Sequence, residues 1–249
     1  MKELVLCDDG KPELVLPLCE KYGCGIEIQG FYKPDSDEIK EEIFERYNNI
    51  LTKDIRKYFH APFADLCLGS SNKRIVDVTR YYFDYAYEMA SRLGAKRITV
   101  HHGYVPKTSF IPNWIKRAVS FWNNYLTDKS LAFDMENVVE YDWTIQKEIV
   151  EKVSDTKLGI NLDIGHAYCN SKESVENWIK GYGDKITYVH IHNNYKENDD
   201  HNGLRNGTMD IVNVLSLLNK YAPNAIWAIE SNLNEMEDSL KFLKENKFI

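Results

Sequence analysis

A repeated alternation of short apolar runs and longer helix-like segments is the feature that most constrains the fold of this chain. Each run is rich in β-branched residues, and a polar loop separates it from a segment with helical periodicity. The eight runs predicted as strands are Glu3–Cys7, Gly25–Gln29, Ile55–His60, Arg97–His101, Leu131–Glu136, Leu158–Asp163, Ile186–His192 and Ala225–Glu230. The clearest predicted helices are Asn72–Leu93, Pro112–Thr127, Asp142–Val153, Met209–Tyr221 and Asn234–Lys244.

Alternating strands and helices in one chain indicate a parallel sheet. Eight such units in 249 residues suit a closed barrel, which typically takes about 250 residues. Gly94 stands where a helix C-cap glycine belongs, and Pro112 suits the first turn of a helix. No glycine-rich phosphate loop follows a predicted strand, which disfavours an open nucleotide-binding sheet. The sequence therefore predicts an α/β protein, a single-domain (β/α)8 TIM barrel over residues 1–249.

Charge and cysteine content narrow the class of protein further. The formal net charge is −7, which disfavours non-specific binding to nucleic acid, because such binding needs Lys and Arg against phosphates. Five scattered cysteines without a CxxC pair favour reduced thiols in a cytoplasmic protein. The first residues do not have the pattern of a signal peptide, and no apolar run is long enough for a membrane helix. We therefore expect a cytoplasmic protein that is not membrane-bound.

Histidines and carboxylates gather where the predicted strands end. The seven histidines are His60, His101, His102, His166, His190, His192 and His201, and none lies in a predicted helix. Glu136, Asp163 and Glu230 end three strands, and Asp199 and Asp200 precede His201. A barrel brings the C-terminal ends of its strands into one ring, so these side chains should converge.

Imidazole and carboxylate ligands together suit Zn²⁺, Mn²⁺, Fe²⁺ or Co²⁺. Alternation places Glu136 and Asp134 on one face of their strand, and His190 and His192 on one face of theirs. Taken singly, any of the histidines is more often structural than a ligand, and Asp163 is as well suited to a helix N-cap as to a metal. As a set they predict a metal site at the mouth, because so many convergent carboxylates without a cation would repel one another. A barrel that binds a ligand without catalysis is the less favoured alternative.

Seven short motifs in order resemble the xylose isomerase-like, or AP endonuclease family 2, TIM barrel superfamily. They are HAPF (60–63), VHHG (100–103), MEN (135–137), LDIGHA (162–167), VHIHNN (189–194), DDH (199–201) and IES (229–231). The resemblance runs from His60 to Ser231, and it implies the superfamily rather than one reaction.

One branch of the superfamily contains sugar isomerases and ketose 3-epimerases with a single metal ion. The resemblance implies Glu136, Asp163, His190 (or His192) and Glu230 as its ligands. Glu136 and Glu230 would exchange a proton on the substrate carbon, a metal-stabilised enediolate would form, and His166 would hydrogen-bond a substrate oxygen. The substrate would be a small sugar, polyol or sugar phosphate, and the ion Zn²⁺, Mn²⁺, Co²⁺ or Mg²⁺.

The other branch is endonuclease IV, which has nine ligands around three zinc ions. Its pattern implies His60, His101, Glu136, Asp163, His166, His190, Asp199, His201 and Glu230 as ligands. Three departures count against a repair nuclease: Asp200 replaces an arginine, Arg205-Asn206-Gly207 replaces a GEG-like turn, and Tyr168-Cys169-Asn170-Ser171 replaces small residues after Ala167. We therefore favour the isomerase or epimerase and keep a di- or trinuclear phosphoesterase as the alternative, with one to three ions bound.

Further residues are candidates for contact with the substrate. Those predicted to bind it are His192, His102, Asn137, Lys107, Arg205 and Tyr168, and Asn193 and Asn194 offer further hydrogen bonds. Phe31, Phe63, Tyr104 and Tyr168 are expected to shape the pocket. Lys33, Lys107 and Arg205 are the cations that we can place near the mouth, too few for duplex phosphates. Nucleic acid is therefore an unfavoured partner, and a homo-oligomer is possible.

Overall fold

A computed structural model describes residues 2–249 and shows eight parallel strands that close into one barrel, in which β1 pairs with β8. The strands are β1 Leu4–Cys7, β2 Gly25–Ile28, β3 Lys57–His60, β4 Arg97–His101, β5 Ala132–Glu136, β6 Leu158–Asp163, β7 Ile186–Ile191 and β8 Ile226–Ile229. The helices outside the barrel are α1 Pro12–Tyr22, α2 Lys40–Ile50, α3 Lys73–Leu93, α4 Ile111–Tyr125, α5 Thr144–Lys152, α6 Ile164–Asn170, α7 Val175–Tyr182, α8 Ile211–Tyr221 and α9 Met236–Glu245. The predicted (β/α)8 barrel is confirmed.

Local sequence signals explain where several helices begin and end. Gly94 ends α3 in the left-handed region at φ 75°, and Pro112 lies in the first turn of α4. Asn72 caps α3, with its side chain accepting a hydrogen bond from the backbone N–H of Arg74. The structure also contains four helices that were not among the clearest helices predicted from the sequence, namely α1, α2, α6 and α7. The structure corrects one expectation: His166 lies inside α6 rather than in a loop.

The core has an outer and an inner part. The larger part lies between the barrel and the helices, and includes Trp122, Phe83 and Phe133. Inside the barrel, Val5, Cys7, Tyr58, Tyr188 and Ala228 pack together. The strand period of two separates these inward residues from their outward neighbours.

A charged pair lies inside the barrel, toward the N-terminal ends of the strands. Arg97 at the start of β4 donates from its Nε to Asp134 Oδ2 over 2.6 Å. Thr187 also donates to Asp134, which is fully buried. The carboxylate of Asp134 therefore has its hydrogen-bond partners in Arg97 and Thr187. Glu136 lies on the same strand face, two residues closer to the mouth.

Within residues 2–249, none of the helices combines the length and the apolar content needed to cross a bilayer. The five cysteines are free thiols.

Candidate metal centre

Four side chains from four different strand ends converge at the centre of the mouth. Glu136 ends β5, Asp163 ends β6, His190 lies near the end of β7, and Glu230 follows β8. One ligand atom from each lies within 4.8 Å of those of the other three. We call these residues the four-residue centre. They are the ligands that the resemblance to sugar isomerases implies.

His190 contacts all three carboxylates of the four-residue centre. Its Nδ1 lies 3.0 Å from Glu230 Oε2, 3.2 Å from Glu136 Oε1 and 3.7 Å from Asp163 Oδ2. The backbone N–H of His190 donates to Asn161 Oδ1, which fixes the strand position of the ring. One ring nitrogen carries at most one proton, so it cannot satisfy three carboxylates.

The charges of the four-residue centre suit a divalent cation. Three carboxylates meet one imidazole in a buried space, and Glu230 Oε2 is buried with no hydrogen bond of good geometry. Uncompensated buried carboxylates are costly, whereas oxygen and imidazole ligands together are suited to Mn²⁺, Co²⁺ or Zn²⁺. The donor atoms of the four-residue centre therefore fit a divalent ion of the kind predicted from the sequence.

Two neighbouring groups extend the four-residue centre. The first contains His60, His101 and Glu136, where the Nε2 atoms of the histidines lie 3.2 and 3.3 Å from Glu136 Oε2. The second contains His166, Asp199 and His201, where the Nε2 atoms lie 3.0 and 2.9 Å from Asp199 Oδ2. Together with the four-residue centre, these groups contain all nine residues of the endonuclease IV pattern.

The other nitrogen of three of these rings is next to a backbone carbonyl. Nδ1 of His60, His166 and His201 lies 2.8–3.0 Å from the carbonyl oxygens of Ala61, Asn137 and Glu230, in that order. A proton on Nδ1 satisfies each carbonyl and leaves the Nε2 lone pair directed at a carboxylate. Metal-binding histidines have this arrangement.

The electrostatics of the metal-free protein reflect the same crowding. Burial acts to lower the pKa of His190, but Glu230, Glu27 and Glu136 outweigh it and raise that pKa well above its ordinary value. Burial acts to raise the pKa of Glu136, but His190 and His101 hold it well below its usual range. Burial also acts to raise the pKa of Glu230, but His190 outweighs it, and the pKa is lowered to about 2. In the metal-free protein, His190 and its carboxylates thus stabilise one another's charged forms.

An open cavity of about 630 Å³ borders the centre. Glu230, His60 and His201 face it, and its lining also includes Gln29, Tyr32, Phe63 and Lys11. The rings of Tyr32 and Phe63 stack at 5.9 Å between centroids. Glu230 has 15% of its side chain exposed, whereas the other three members of the centre have 0 or 1%. Glu230 is therefore the carboxylate of the centre that a bound molecule meets first.

Several predicted contact residues lie elsewhere. His102 is buried behind the barrel, where it bonds to Glu140 and packs against Trp114 and Tyr104. Because successive strand residues point to opposite faces, only one histidine of the His101-His102 pair faces inward. The structure therefore places His102 and Tyr104 away from the site.

The predicted cations and Phe31 also lie outside the centre. Arg205 pairs with Glu245 and Asp238 on α9, so it is held on the outer surface. Lys107 is exposed in the loop after β4, and Lys33 is exposed near Tyr32 at the rim. Phe31 is fully buried in the outer core.

The remaining residues predicted to contact the substrate instead bond to site residues or to neighbouring loops. Asn137 exchanges two hydrogen bonds with the backbone of Asp163, each 2.9 Å long. His192 Nε2 lies 3.1 Å from Asp163 Oδ1, and its ring stacks on His201 at 4.1 Å. Tyr168 bonds through its hydroxyl to Thr208. Asn193 and Asn194 bond within the β7–α8 loop and to Gly165, so they shape the loop.

Sequence reasoning missed two polar residues at the centre. Glu27 in β2 is fully buried, with both carboxylate oxygens 3.1 and 3.2 Å from His190 Nε2. Gln29 donates to Glu230 Oε1 over 2.6 Å. A glutamate inside the apolar run of β2, on the same strand face as Gln29, is the signal that identifies them.

Comparisons with known proteins identify the family and the fold. The profile of the xylose isomerase-like TIM barrel family matches residues 18–246. The uncharacterised protein MJ1614 of Methanocaldococcus jannaschii is 32% identical over 192 residues, which is 74% of each chain. A probable endonuclease 4 of Mycobacterium leprae is 22% identical over 200 residues, 76% of this chain and 77% of the relative.

A solved structure described as a D-tagatose 3-epimerase-like protein superposes with a TM-score of 0.76. It is 24% identical, and the match covers 99% of this chain and 97% of that one. This likeness shows the fold, and the profile match shows the family. The chain belongs to the xylose isomerase-like TIM barrel family.

Proposed function

We propose that the protein is a divalent-metal-dependent isomerase or epimerase of a small sugar or polyol, free or phosphorylated. The observation that supports this most is the four-residue centre, whose Glu230 faces a cavity of about 630 Å³. That volume suits a small molecule rather than a polymer. The relative named as D-tagatose 3-epimerase-like is consistent with this class of substrate.

The ion would be held by Glu136, Asp163, His190 and Glu230. Bound there, Mn²⁺, Co²⁺, Zn²⁺ or Mg²⁺ would supply a Lewis acid that polarises the substrate carbonyl. The three carboxylates give this group the largest negative charge of the donor groups at the mouth. We therefore expect it to bind its ion more tightly than the two neighbouring groups do.

The residues of the chain would carry the proton. Glu230 on β8 and Glu136 on β5 approach the centre from different sides of the barrel, so one could remove a proton and the other return it. Gln29 holds Glu230 Oε1 through a 2.6 Å hydrogen bond, and the buried Oε2 lies 3.0 Å from His190 Nδ1. One oxygen of Glu230 is thus held by Gln29 and the other lies at the centre, which suits a carboxylate that would bind the ion and also accept a proton.

The cavity lining would orient a polyhydroxylated substrate. His60 and His201 face the cavity and would hydrogen-bond hydroxyl groups. The stacked rings of Tyr32 and Phe63 would contact the C–H face of a sugar. His166 lies between Asn137 and Asp199, so it would act by placing Asp199 rather than by touching the sugar.

Solvent exchange tests this proposal. The protein, loaded in turn with Mn²⁺, Co²⁺, Zn²⁺ and Mg²⁺, is incubated in D2O with ketopentoses, ketohexoses and their phosphates, and NMR follows the products. We expect a new isomer or epimer with deuterium on a carbon next to the carbonyl. Glu230→Gln should abolish that exchange. A complete panel with no deuterium incorporation would contradict the proposal.

A second candidate, a di- or trinuclear phosphoesterase, is favoured by one specific observation. The groups around His101 and Asp199 direct Nε2 lone pairs at carboxylates, as a second and a third ion would require. The probable endonuclease 4 relative is consistent with it. The cavity lining counts against a duplex substrate, since its one Lys or Arg, Lys11, is paired to Asp9 at 2.7 Å. Cleavage of duplex DNA with an abasic site, together with two to three tightly bound ions, would favour this candidate.

A further inference from the structure

Glu27 makes its closest contact with His190. Its two carboxylate oxygens lie 3.1 and 3.2 Å from His190 Nε2, and both side chains are fully buried. The backbone of Glu27 is paired across β1 with Cys7 and accepts the N–H of Asp8. Glu27 is thus held at Nε2, whereas Glu136, Asp163 and Glu230 contact the ring through Nδ1.

The two nitrogens of His190 thus have different surroundings. Nε2 has Glu27 as a hydrogen-bond acceptor, whereas Nδ1 faces oxygens of three carboxylates at 3.0–3.7 Å. A proton on Nε2 is satisfied by Glu27, and the Nδ1 lone pair then needs a cation between it and the carboxylates. A carboxylate behind a histidine sets both the tautomer and the basicity of a metal ligand.

We propose that Glu27 is a positioning residue that holds the proton of His190 on Nε2 and so presents Nδ1 to the ion. The inference rests on the metal site of the proposed function, but it concerns ion affinity rather than turnover. Gln29 extends the arrangement, because its amide donates to Glu27 Oε1 over 3.3 Å as well as to Glu230. The side chains that hold the ion are thereby linked to β2, which contributes no ligand of its own.

A competing role for Glu27 is direct ligation. Cys7, Glu27, His190 and Glu230 offer atoms within 4.8 Å of one another. An ion in that group would take the Nε2 side of His190 and leave Glu136 and Asp163, which face Nδ1, without a cation. The positioning role requires one ion at Nδ1, and Glu27 variants should weaken its binding without changing the number of ions bound.

Metal titration of the chelator-treated protein tests the proposal. Co²⁺ is added to wild type, Glu27→Gln and Glu27→Leu, and absorption gives both the dissociation constant and the number of tight ions per chain. We expect about 10–100-fold weaker binding, with Gln at the low end because its amide oxygen still accepts the proton. Should Glu27→Leu fail to fold, the nearly isosteric Gln variant still decides the matter.

A matched control and a second readout separate positioning from general damage. Glu140→Gln changes another buried glutamate that bonds a histidine, His102, outside the centre, so Co²⁺ affinity should stay at the wild-type value. With Zn²⁺ bound, ¹⁵N-histidine NMR should show His190 protonated on Nε2 in wild type. In Glu27→Leu that signal should exchange faster and shift.

Each result bears on the inference. Unchanged Co²⁺ affinity and an unchanged His190 signal in both Glu27 variants would overturn the inference. A Glu27 variant that binds one ion fewer than wild type, and holds its remaining tight ions with wild-type affinity, would also overturn it. A wild type that binds Co²⁺ tightly but turns over no sugar would contradict the proposed function alone. A wild type that binds no ion would contradict both.

Discussion

Asp163 combines two roles that one substitution can separate. Its Oδ1 accepts the backbone N–H of His166 over 2.7 Å and so caps α6. Its Oδ2 points into the four-residue centre, 3.7 Å from His190 Nδ1. Asn is as good an N-cap as Asp but lacks the charge and the second oxygen. Asp163→Asn should therefore keep the helix and lose the ion.

The expected free energies follow from these contacts. Without metal, Asp163→Asn should unfold within about 1 kcal/mol of wild type, whereas Asp163→Ala should lose a further ~1 kcal/mol with the cap. At free metal about 100 times the dissociation constant, the wild type gains about 2.7 kcal/mol. If the variant binds about 100-fold more weakly, the same metal adds only about 0.4 kcal/mol.

Urea unfolding, followed by circular dichroism, measures these differences in chelator and at fixed free Mn²⁺ or Zn²⁺. Asp163→Ala serves as the control for the cap. If Asp163→Asn were stabilised by metal as much as wild type, Asp163 would be an N-cap only, and the four-residue centre would not be the tight site.

Further expectations concern activity, ion number, pH and packing. Glu136→Gln should fold normally, by circular dichroism, but lose turnover by about 10²–10⁴-fold or more, and wild-type turnover would exclude Glu136 as a proton carrier. His101→Ala should keep the tight ion, as elemental analysis can show, whereas its loss would favour the multinuclear phosphoesterase. Because Glu230, Glu27 and Glu136 raise the pKa of His190 in the metal-free protein, ion affinity should rise with pH and binding should release protons. Calorimetry in buffers of different ionisation enthalpy measures that release, and its absence would contradict this expectation. Gly165→Ala should lower the free energy of unfolding in urea by about 1–3 kcal/mol, because a Cβ there would clash with the ring of His192, and an unchanged midpoint would contradict that packing.

The barrel could be predicted because strand and helix periods alternate clearly along the chain. The convergence of Glu136, Asp163 and Glu230 followed from the same reasoning, since parallel strands end on one side. The short helix that contains His166 could not be predicted, because seven residues are too few to show helical periodicity.

Residues whose role depends on distant partners were harder to place. Arg205 was assigned to the mouth from its loop, but its partners Asp238 and Glu245 are on α9, more than thirty residues away in sequence. Glu27 was overlooked because it lies inside a strand run rather than at its end. Its contact with His190 joins residues 163 positions apart, which no local pattern reveals.

The central claim is that Glu136, Asp163, His190 and Glu230 hold one tightly bound divalent ion. Elemental analysis after reconstitution with Mn²⁺, Co²⁺ or Zn²⁺ and extensive dialysis tests it most directly. We expect about one ion per chain in wild type and none in Asp163→Asn. Wild-type protein that retains no ion, or a variant that retains as much as wild type, would contradict the claim.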